Sequence, residues 1–215
     1  IMENNDWIGK KVFITGINGF IGGNLCKILV EKGANVFGLI RNHNKGSFLF
    51  NEGLSDSVVL INGELIDKDL ICRIISEEQI NVVYHLAGQV AMTTSIVDPR
   101  MDFEVNVGGS FNLLNAIRLY SPESTVIYSS TNKVYGDLEQ FNYRETETRY
   151  ECIDKPNGFD EGVNLDFHSP YGTSKGSADQ YMLDFFPAYK SKEKDSRKHQ
   201  ITIEHLLTMT SGFDW

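Results

Sequence analysis

Short apolar segments of the chain alternate with longer segments in which apolar residues recur three or four positions apart. The first apolar run covers residues 11–15 and ends at Gly16. Uninterrupted runs of this length are typical of parallel strands that are buried on both faces of a sheet. The same pattern predicts four further strands, at residues 35–40, 58–61, 82–86 and 126–129.

Helical spacing appears between these runs. A first helix is predicted after Gly16 and ends at Lys32-Gly33, since a glycine often follows the last helical turn. Strands that alternate with helices predict an α/β fold with a doubly wound parallel sheet of the Rossmann type. The residues that carry the helical spacing are Phe20, Ile21, Leu25, Ile28 and Leu29, then Leu70, Ile71, Ile74 and Ile75, then Phe103, Val107, Phe111, Leu114 and Ile117.

The second half of the chain departs from this alternation. Residues 136–170 are polar and lack a clear period, and a loop of that length is usually functional or disordered. We expect an insertion that overhangs a cleft. A helix is predicted over residues 171–186, because Pro187 cannot continue it. We therefore assign residues 1–186 to one domain and 187–215 to an unrelated carboxyl-terminal fragment.

Composition narrows the possible functions. The 215 residues suffice for one core, and 20 basic against 29 acidic side chains give a net charge of −9, which argues against nucleic acid or an anionic membrane as a partner. No apolar run reaches the roughly 20 residues that span a bilayer, so we expect a cytoplasmic protein. Cys26, Cys72 and Cys152 lack the spacing of metal ligands, and we predict no metal site.

A glycine-rich turn lies between the first strand and the first helix. Gly16, Gly19 and Gly22 follow the spacing G-x-x-G-x-x-G, which lets the backbone turn sharply and approach a pyrophosphate. The N–H groups at the helix start favour an anion. We predict that these glycines, with Phe20 and Ile21, bind the phosphates of a dinucleotide.

The ends of the next strands supply the other candidate cofactor residues. Arg41 ends the second strand where an acidic residue would bind the ribose 2′-hydroxyl of NAD, and a basic residue there favours NADP. Both cofactors, NAD or NADP, stay open. Gly63-Glu64 follows the third strand and is expected to cover the adenine, and Leu65 beside it is a further candidate cofactor residue. The small residues of Leu86-Ala87-Gly88 allow a close approach after the fourth strand.

A Y-x-x-x-K pattern supplies the candidate catalytic groups. Tyr171 and Lys175 lie four residues apart, on one face of the predicted helix. The ammonium would lower the pKa of the phenol, so that Tyr171 moves the proton of a substrate hydroxyl, while Lys175 also holds the ribose. Thr131 ends the fifth strand and is expected to orient the substrate oxygen, although a turn-capping threonine would look the same.

Residues 8–184 resemble the extended short-chain dehydrogenase/reductase family, which contains nucleotide-sugar epimerases and dehydratases. The resemblance implies a nucleotide-sugar substrate, a bound NAD(P), and a possible homo-oligomer. Within the family, the chain is most similar to epimerases that transiently oxidise C2 of a CDP-sugar; a 4,6-dehydratase is the alternative. The motifs are Thr15-Gly16-x-x-Gly19-Phe20-Ile21-Gly22, His85-Leu86-Ala87-Gly88, Asn106-Val107-Gly108-Gly109, Tyr128-Ser129-Ser130-Thr131 and Tyr171-x-x-x-Lys175.

The carboxyl-terminal residues do not continue this resemblance. The family follows its tyrosine helix with a substrate domain, so we expect a truncated enzyme with impaired activity. Residues 187–215 instead resemble a stretch of the β-lactamase-related serine hydrolases, which use a Ser-x-x-Lys nucleophile. Ser130-x-x-Lys133 and Ser191-x-x-Lys194 match only in their letters. A serine hydrolase or a non-catalytic binding fragment is therefore the second hypothesis.

Overall fold

Five parallel strands form the centre of the fold. The computed structural model describes residues 6–160 and 162–186. The strand order is β3-β2-β1-β4-β5, which matches the first five strands of the Rossmann order and confirms the predicted fold class. The strands are β1 (Lys11–Thr15), β2 (Asn35–Ile40), β3 (Val59–Asn62), β4 (Val82–His85) and β5 (Thr125–Tyr128).

The register brings the carboxyl ends of the strands to one edge. Thr15 at the end of β1 lies opposite Leu39 of β2 on one side and opposite His85 of β4 on the other. The chain winds outward from β1 in both directions, so β1 and β4 flank the point where the strand order reverses. Open α/β sheets bind their ligands outside this point.

Helices cover both faces of the sheet. Helix α3 packs against α6, and α6 packs against α7. Among the described residues, no helix has the length and apolar character that a bilayer span requires. The helices are α1 (Phe20–Glu31), α2 (Phe48–Asn51), α3 (Lys68–Glu78), α4 (Met92–Val97), α5 (Pro99–Asp102), α6 (Ser110–Tyr120) and α7 (Pro170–Phe185), with 3₁₀ turns at Leu54–Ser57 and Asn132–Tyr135.

Two hydrophobic cores lie on opposite faces of the sheet. Alternation along β1 directs Phe13 to the core beneath α3 and α6, and Val12 and Ile14 to the core beneath α1. All three side chains are fully buried. The predicted continuous apolar runs are thus explained by burial on both faces.

The helix predicted from Phe103 to Ile117 differs from its prediction. Residues Phe103–Gly109 form a wide π-helical turn, and the α-helix begins only at Ser110. A π-helical turn contains more residues than an α-helical turn, so it changes which side chains face the core. Phe103 is 62% exposed, and Asn106 is buried. Such turns occur frequently at functional sites.

The polar segment before α7 contains more structure than its sequence indicates. Strands β6 (Tyr143–Glu145) and β7 (Tyr150–Cys152) form an antiparallel hairpin, in which the Glu151 carboxylate accepts hydrogen bonds from Arg144 and Arg149. Exposed ion pairs of this kind add little stability. The fragment predicted at 187–215 lies outside the described residues.

Candidate functional site

The glycine-rich turn has a geometry that side chains would prevent. Gly16 has φ +77°, and a Cβ on it would lie 2.8 Å from the backbone nitrogen of Ala87. A Cβ on Gly22 would overlap the Gly16 carbonyl oxygen. Gly19 N donates to that same oxygen at 2.9 Å and closes the turn. The turn is therefore tight enough to bring backbone N–H groups against a phosphate.

The first residues of α1 face outward and not into the core. Phe20 is 85% exposed and Ile21 is 55% exposed. The helix that was predicted from these residues is present as α1. Its buried face, however, consists of Gly22, Gly23, Cys26 and Leu29. Phe20 and Ile21 are thus available at the surface of the cleft described next.

A cleft of about 630 Å³ opens at the carboxyl edge of the sheet. Its volume is within the usual range for ligand pockets, roughly 300–1,000 Å³. It brings together the candidate cofactor residues that come from four separate strand ends. These are Gly16, Gly19, Phe20, Ile21, Gly22, Arg41, Glu64, Leu65, Leu86, Ala87 and Gly88.

Amide side chains organise one end of this cleft. Asn18 Nδ2 donates to the Asn42 carbonyl at 3.3 Å, and Asn18 Oδ1 accepts a short hydrogen bond from the Ser47 hydroxyl. Arg41 lies on this rim with an exposed side chain and makes no ion pair within residues 6–160 and 162–186. An anionic group on a ligand therefore has a free guanidinium to bind.

Another amide fixes the loop that follows β3. Asn112 Nδ2 donates to the carbonyls of Leu65 at 3.1 Å and Ile66 at 3.2 Å. Leu65 is 6% exposed, while Glu64 beside it is exposed on the cleft wall. The segment that follows Gly63-Glu64 is thus held in place from α6.

A buried histidine joins the two central strands at the turn. Thr15 Oγ1 lies 2.8 Å from His85 Nδ1, and His85 Nε2 lies 2.8 Å from Ser110 Oγ. Thr15 Oγ1 also accepts from Ala87 N at 3.2 Å. Burial, with a smaller contribution from the Lys175 charge, lowers the pKa of His85 to about 3, so the ring is neutral. This chain of contacts aligns the Gly16 turn with the Leu86-Ala87-Gly88 segment.

Lys175 reaches the wall of the cleft from α7. Its Nζ donates to the Ser129 carbonyl at 2.5 Å, and Ser129 lines the cleft. The ammonium also lies 4.2 Å from the centroid of the Tyr128 ring, where a cation–π interaction stabilises it. The residue is 6% exposed. Burial lowers the pKa of the Lys175 ammonium to about 8, although Asp179 opposes the change.

Tyr171 lies in the first turn of α7, which Ser169 caps by accepting from Gly172 N. The Tyr171 phenol is near enough to Tyr128 to contribute, after burial and Asp179, to a raised pKa of the Tyr128 hydroxyl. Tyr128 thus lies beside both predicted catalytic residues of α7. The influence of Lys175 on the Tyr171 phenol stays a prediction.

Thr131 caps a turn, as its alternative interpretation expects. Its Oγ1 accepts from Lys133 N at 3.3 Å, at the start of the 3₁₀ turn Asn132–Tyr135. Its Oγ1 also lies 3.5 Å from Asn132 Oδ1, which is a weak contact. The hydroxyl can still donate to another oxygen, so a role in orienting substrate stays a prediction.

Sequence reasoning misses the polar residues that join α7 to the Phe103–Gly109 turn. Asn106 Nδ2 donates to Ser174 Oγ at 3.0 Å, and that hydroxyl also lies 3.4 Å from Asp102 Oδ2. These three residues are buried. Asn106 stands in one of the quoted motifs, but no spacing rule links it to a serine 68 residues away. Asp102 leaves no sequence signal beyond an acidic residue at a helix end.

The described residues fit a dinucleotide. The turn has no room for side chains at Gly16 and Gly22, backbone N–H groups begin α1 beside it, and Arg41 is unpaired on the rim. No group of three or more histidine, cysteine, aspartate or glutamate side chains in the described ranges is arranged to hold a metal ion.

Comparisons with known sequences agree with this geometry. A family model described as GDP-mannose 4,6 dehydratase matches residues 13–194. The chain is 52% identical over 177 residues to a CDP-paratose 2-epimerase from Salmonella typhi, covering 81% of this chain and 52% of that protein. It is 31% identical over 150 residues to a GDP-mannose 4,6-dehydratase from Vibrio cholerae, covering 66% of this chain and 40% of that protein. The chain thus spans about half the length of the curated relatives it matches.

Solved structures of epimerases are also similar to this chain. The UDP-glucose 4-epimerase of Thermus thermophilus, in complex with NAD, superimposes with a TM-score of 0.65 at 27% identity, covering 84% of this chain and 52% of that one. The UDP-glucose 4-epimerase of Thermotoga maritima, with UDP-glucose, gives a TM-score of 0.66 at 26% identity and the same coverage.

These matches support one of the two resemblances seen in the sequence. The hydrolase resemblance of the carboxyl-terminal residues gains no support from them. The family model instead covers most of the chain, including the glycine-rich turn and the tyrosine helix. The chain therefore belongs to the NAD-dependent epimerase/dehydratase family of short-chain dehydrogenases/reductases.

Proposed function

We propose that the described residues are the cofactor-binding and catalytic half of a nucleotide-sugar epimerase. The observation that carries the proposal is the contact between Lys175 Nζ and the Ser129 carbonyl, which joins the Tyr171-x-x-x-Lys175 helix to the wall of the glycine-turn cleft. A dinucleotide in that cleft would lie with one end beside the tyrosine helix. The NAD complex of the Thermus thermophilus epimerase supports a nicotinamide cofactor.

The cofactor would be held mainly by backbone. The Gly16–Gly22 turn and the first N–H groups of α1 would bind the pyrophosphate, Arg41 would bind at the adenosine ribose, and Glu64 and Leu65 would cover the adenine. When bound, NAD or NADP would supply the hydride acceptor for the oxidation of a sugar hydroxyl.

Tyr171 is the proposed acid–base group. Its phenolate would accept the proton of the sugar hydroxyl during oxidation and return that proton when the ketone is reduced. Lys175, a buried cation with a lowered pKa, would stabilise the phenolate and donate to a ribose hydroxyl. Thr131 would donate to the sugar oxygen from the end of β5. Epimerisation follows if the keto sugar presents its other face before reduction, so no net redox change occurs.

The proposed substrate is a CDP-sugar with reaction at C2. The identity of 52% with the Salmonella typhi CDP-paratose 2-epimerase supports this choice. A nucleotide-sugar 4,6-dehydratase is the second candidate, because the matching family model bears that description and the Vibrio cholerae dehydratase is 31% identical. A homo-oligomer stays a prediction.

Nuclear magnetic resonance of the purified chain with CDP-paratose tests the proposal, over an incubation long enough to detect the impaired turnover that the sequence predicts. An epimerase would produce the C2 epimer with the sugar otherwise intact, whereas a dehydratase given GDP-mannose would release water and form a keto sugar. Tyr171→Phe, which keeps the ring and removes the proton-transferring hydroxyl, is the matched control and should abolish the reaction. Product formation by the control at the wild-type rate would contradict the role of Tyr171.

A further inference from the structure

Asp102 is an acidic residue with an unusual environment. Its side chain is completely buried at the end of α5, and its Oδ1 has no hydrogen-bond partner within the described ranges. A buried carboxylate is normally paired with a cation or bonded through both oxygens, because burial of an unpaired charge is costly. No ion pair involves Asp102 among the described residues.

The hydrogen bonds around Ser174 indicate which atom carries the proton. Gln89 N donates to Asn106 Oδ1 at 2.8 Å, which orients that amide so that its Nδ2 donates to Ser174 Oγ at 3.0 Å. The single hydroxyl hydrogen of Ser174 has its shorter contact with the Tyr171 carbonyl, at 3.0 Å. One lone pair of Ser174 Oγ then faces Asp102 Oδ2.

A carboxylate does not fit that position. Hydroxyl-to-carboxylate hydrogen bonds are usually about 2.5–2.7 Å long, whereas Ser174 Oγ and Asp102 Oδ2 are 3.4 Å apart. A protonated carboxyl group, in contrast, carries no charge that requires short hydrogen bonds. Its hydroxyl makes only a long, weak contact with the free lone pair of Ser174, and its second oxygen is a neutral carbonyl. The unpartnered Oδ1 is then far less costly.

Electrostatics point the same way. Burial raises the pKa of Asp102 and the Asp98 charge also raises it, while the nearby Ser174 hydroxyl and Gln89 side chain oppose these effects. The Gln89 amide donates to the Ala91 carbonyl, so it leaves Oδ1 without a hydrogen bond. The buried cation of the site, Lys175, has its ammonium at the Ser129 carbonyl and does not pair with Asp102.

We propose that Asp102 is a neutral carboxylic acid and a positioning residue, which holds Ser174 and with it the first two turns of α7 against the Phe103–Gly109 turn. Helix α7 packs directly on that turn and on α5. Because Tyr171 and Lys175 flank Ser174 on the same helix, the contact determines how far both reach toward the cleft. This positioning role rests on the proposed function, whereas the protonation state does not.

Infrared difference spectroscopy of the full chain at neutral pH tests the protonation state. The wild type should show the carbonyl stretch of a protonated carboxylic acid, at higher frequency than carboxylate bands, and Asp102→Asn should lack it. Absence of that band in the wild type would overturn the proposal, whether or not the protein binds a cofactor.

Cofactor affinity of matched variants tests the positioning role. Asp102→Asn keeps a neutral donor of the same shape, so its affinity for NAD or NADP should stay within about twofold of the wild type, while Asp102→Ala should lose roughly tenfold through a lost buried hydrogen bond. Ser174→Ala, which removes the acceptor, should lose a similar factor and serves if Asp102→Ala does not fold. An Asn variant as weak as the Ala variant would mean that the carboxylate is needed and would refute the proposal. A wild type that binds neither cofactor would refute the proposed function and leave the infrared result standing.

Discussion

The two ends of the site are built in different ways. At the glycine-rich turn the backbone itself forms the surface, and the essential feature is the absence of side chains at Gly16 and Gly22. At the tyrosine helix, buried polar side chains of Asp102, Asn106 and Ser174 join the helix to its neighbours, and this helix carries the proposed reactive groups Tyr171 and Lys175. Steric conflict therefore governs the first end, and protonation and hydrogen bonding govern the second.

The glycine-rich turn and the tyrosine helix should therefore respond differently to substitutions and to pH. The turn should be destroyed by added volume and be insensitive to pH. The tyrosine helix should tolerate isosteric replacements and respond to pH, because its buried groups have shifted pKa values.

Gly22→Val should have the largest effect. The added Cβ would overlap the Gly16 carbonyl oxygen and force the turn away from α1. We expect cofactor affinity to fall by at least about a hundredfold, since overpacking of a rigid site costs roughly 1–3 kcal/mol and the pyrophosphate position is lost as well. Calorimetric titration would measure it. Gly108→Ala is the control, because the nearest atom to its Cβ would be 3.9 Å away; equal affinities of the two variants would contradict the steric account.

The pH response of Lys175 should be the next largest. Between pH about 8 and the ordinary value of 10.5, the unfolded chain binds a proton at this lysine that the folded chain does not. The free energy of unfolding should therefore rise with pH across this window, by up to about 3 kcal/mol. Cofactor affinity should change in the opposite direction and fall roughly tenfold, because the ammonium is lost.

Lys175→Met separates this effect from general alkaline changes. Denaturant unfolding and calorimetry at several pH values should show both slopes reduced in this variant. Lys27→Met, at an exposed ion pair with Glu52, should keep the wild-type slopes. If both variants retain the slopes, Lys175 is not their source.

Arg41→Glu should have a more selective effect. An acidic side chain at the end of β2 would bind a ribose 2′-hydroxyl and repel a 2′-phosphate. We expect the ratio of NADP to NAD affinity to fall about tenfold to a hundredfold, with Arg73→Glu on the exposed face of α3 unchanged. An unchanged ratio in the Arg41 variant would remove this residue from cofactor selection.

Thr131→Val should have the smallest effect of these changes. Loss of the hydroxyl that caps the Asn132–Tyr135 turn should lower the free energy of unfolding by about 1 kcal/mol. If the hydroxyl also orients the substrate, Thr131→Val should lower the rate of turnover, whereas Thr131→Ser, which keeps a hydroxyl, should retain the wild-type rate. Steady-state kinetics beside denaturant unfolding would distinguish the capping role from the substrate role.

The glycine-rich turn could be predicted from the sequence, whereas the contacts that hold the tyrosine helix could not. The strands, the Gly16 turn and the start of α1 follow from local periodicity and glycine spacing, and the predicted bounds of β1 and β2 agree with the structure to the residue. The Asp102–Ser174 contact joins residues 72 positions apart, and no local pattern encodes it. The prediction of a regular helix at Phe103 is wrong because spacing alone does not indicate that a turn widens to bury Asn106.

Calorimetric titration of the purified chain with NAD and NADP would show whether the described residues form a dinucleotide site. We expect saturable binding of at least one of them to a single site, and loss of that binding in Gly22→Val but not in Gly108→Ala. Absence of binding by the wild type, or equal binding by the Gly22 variant, would contradict this expectation.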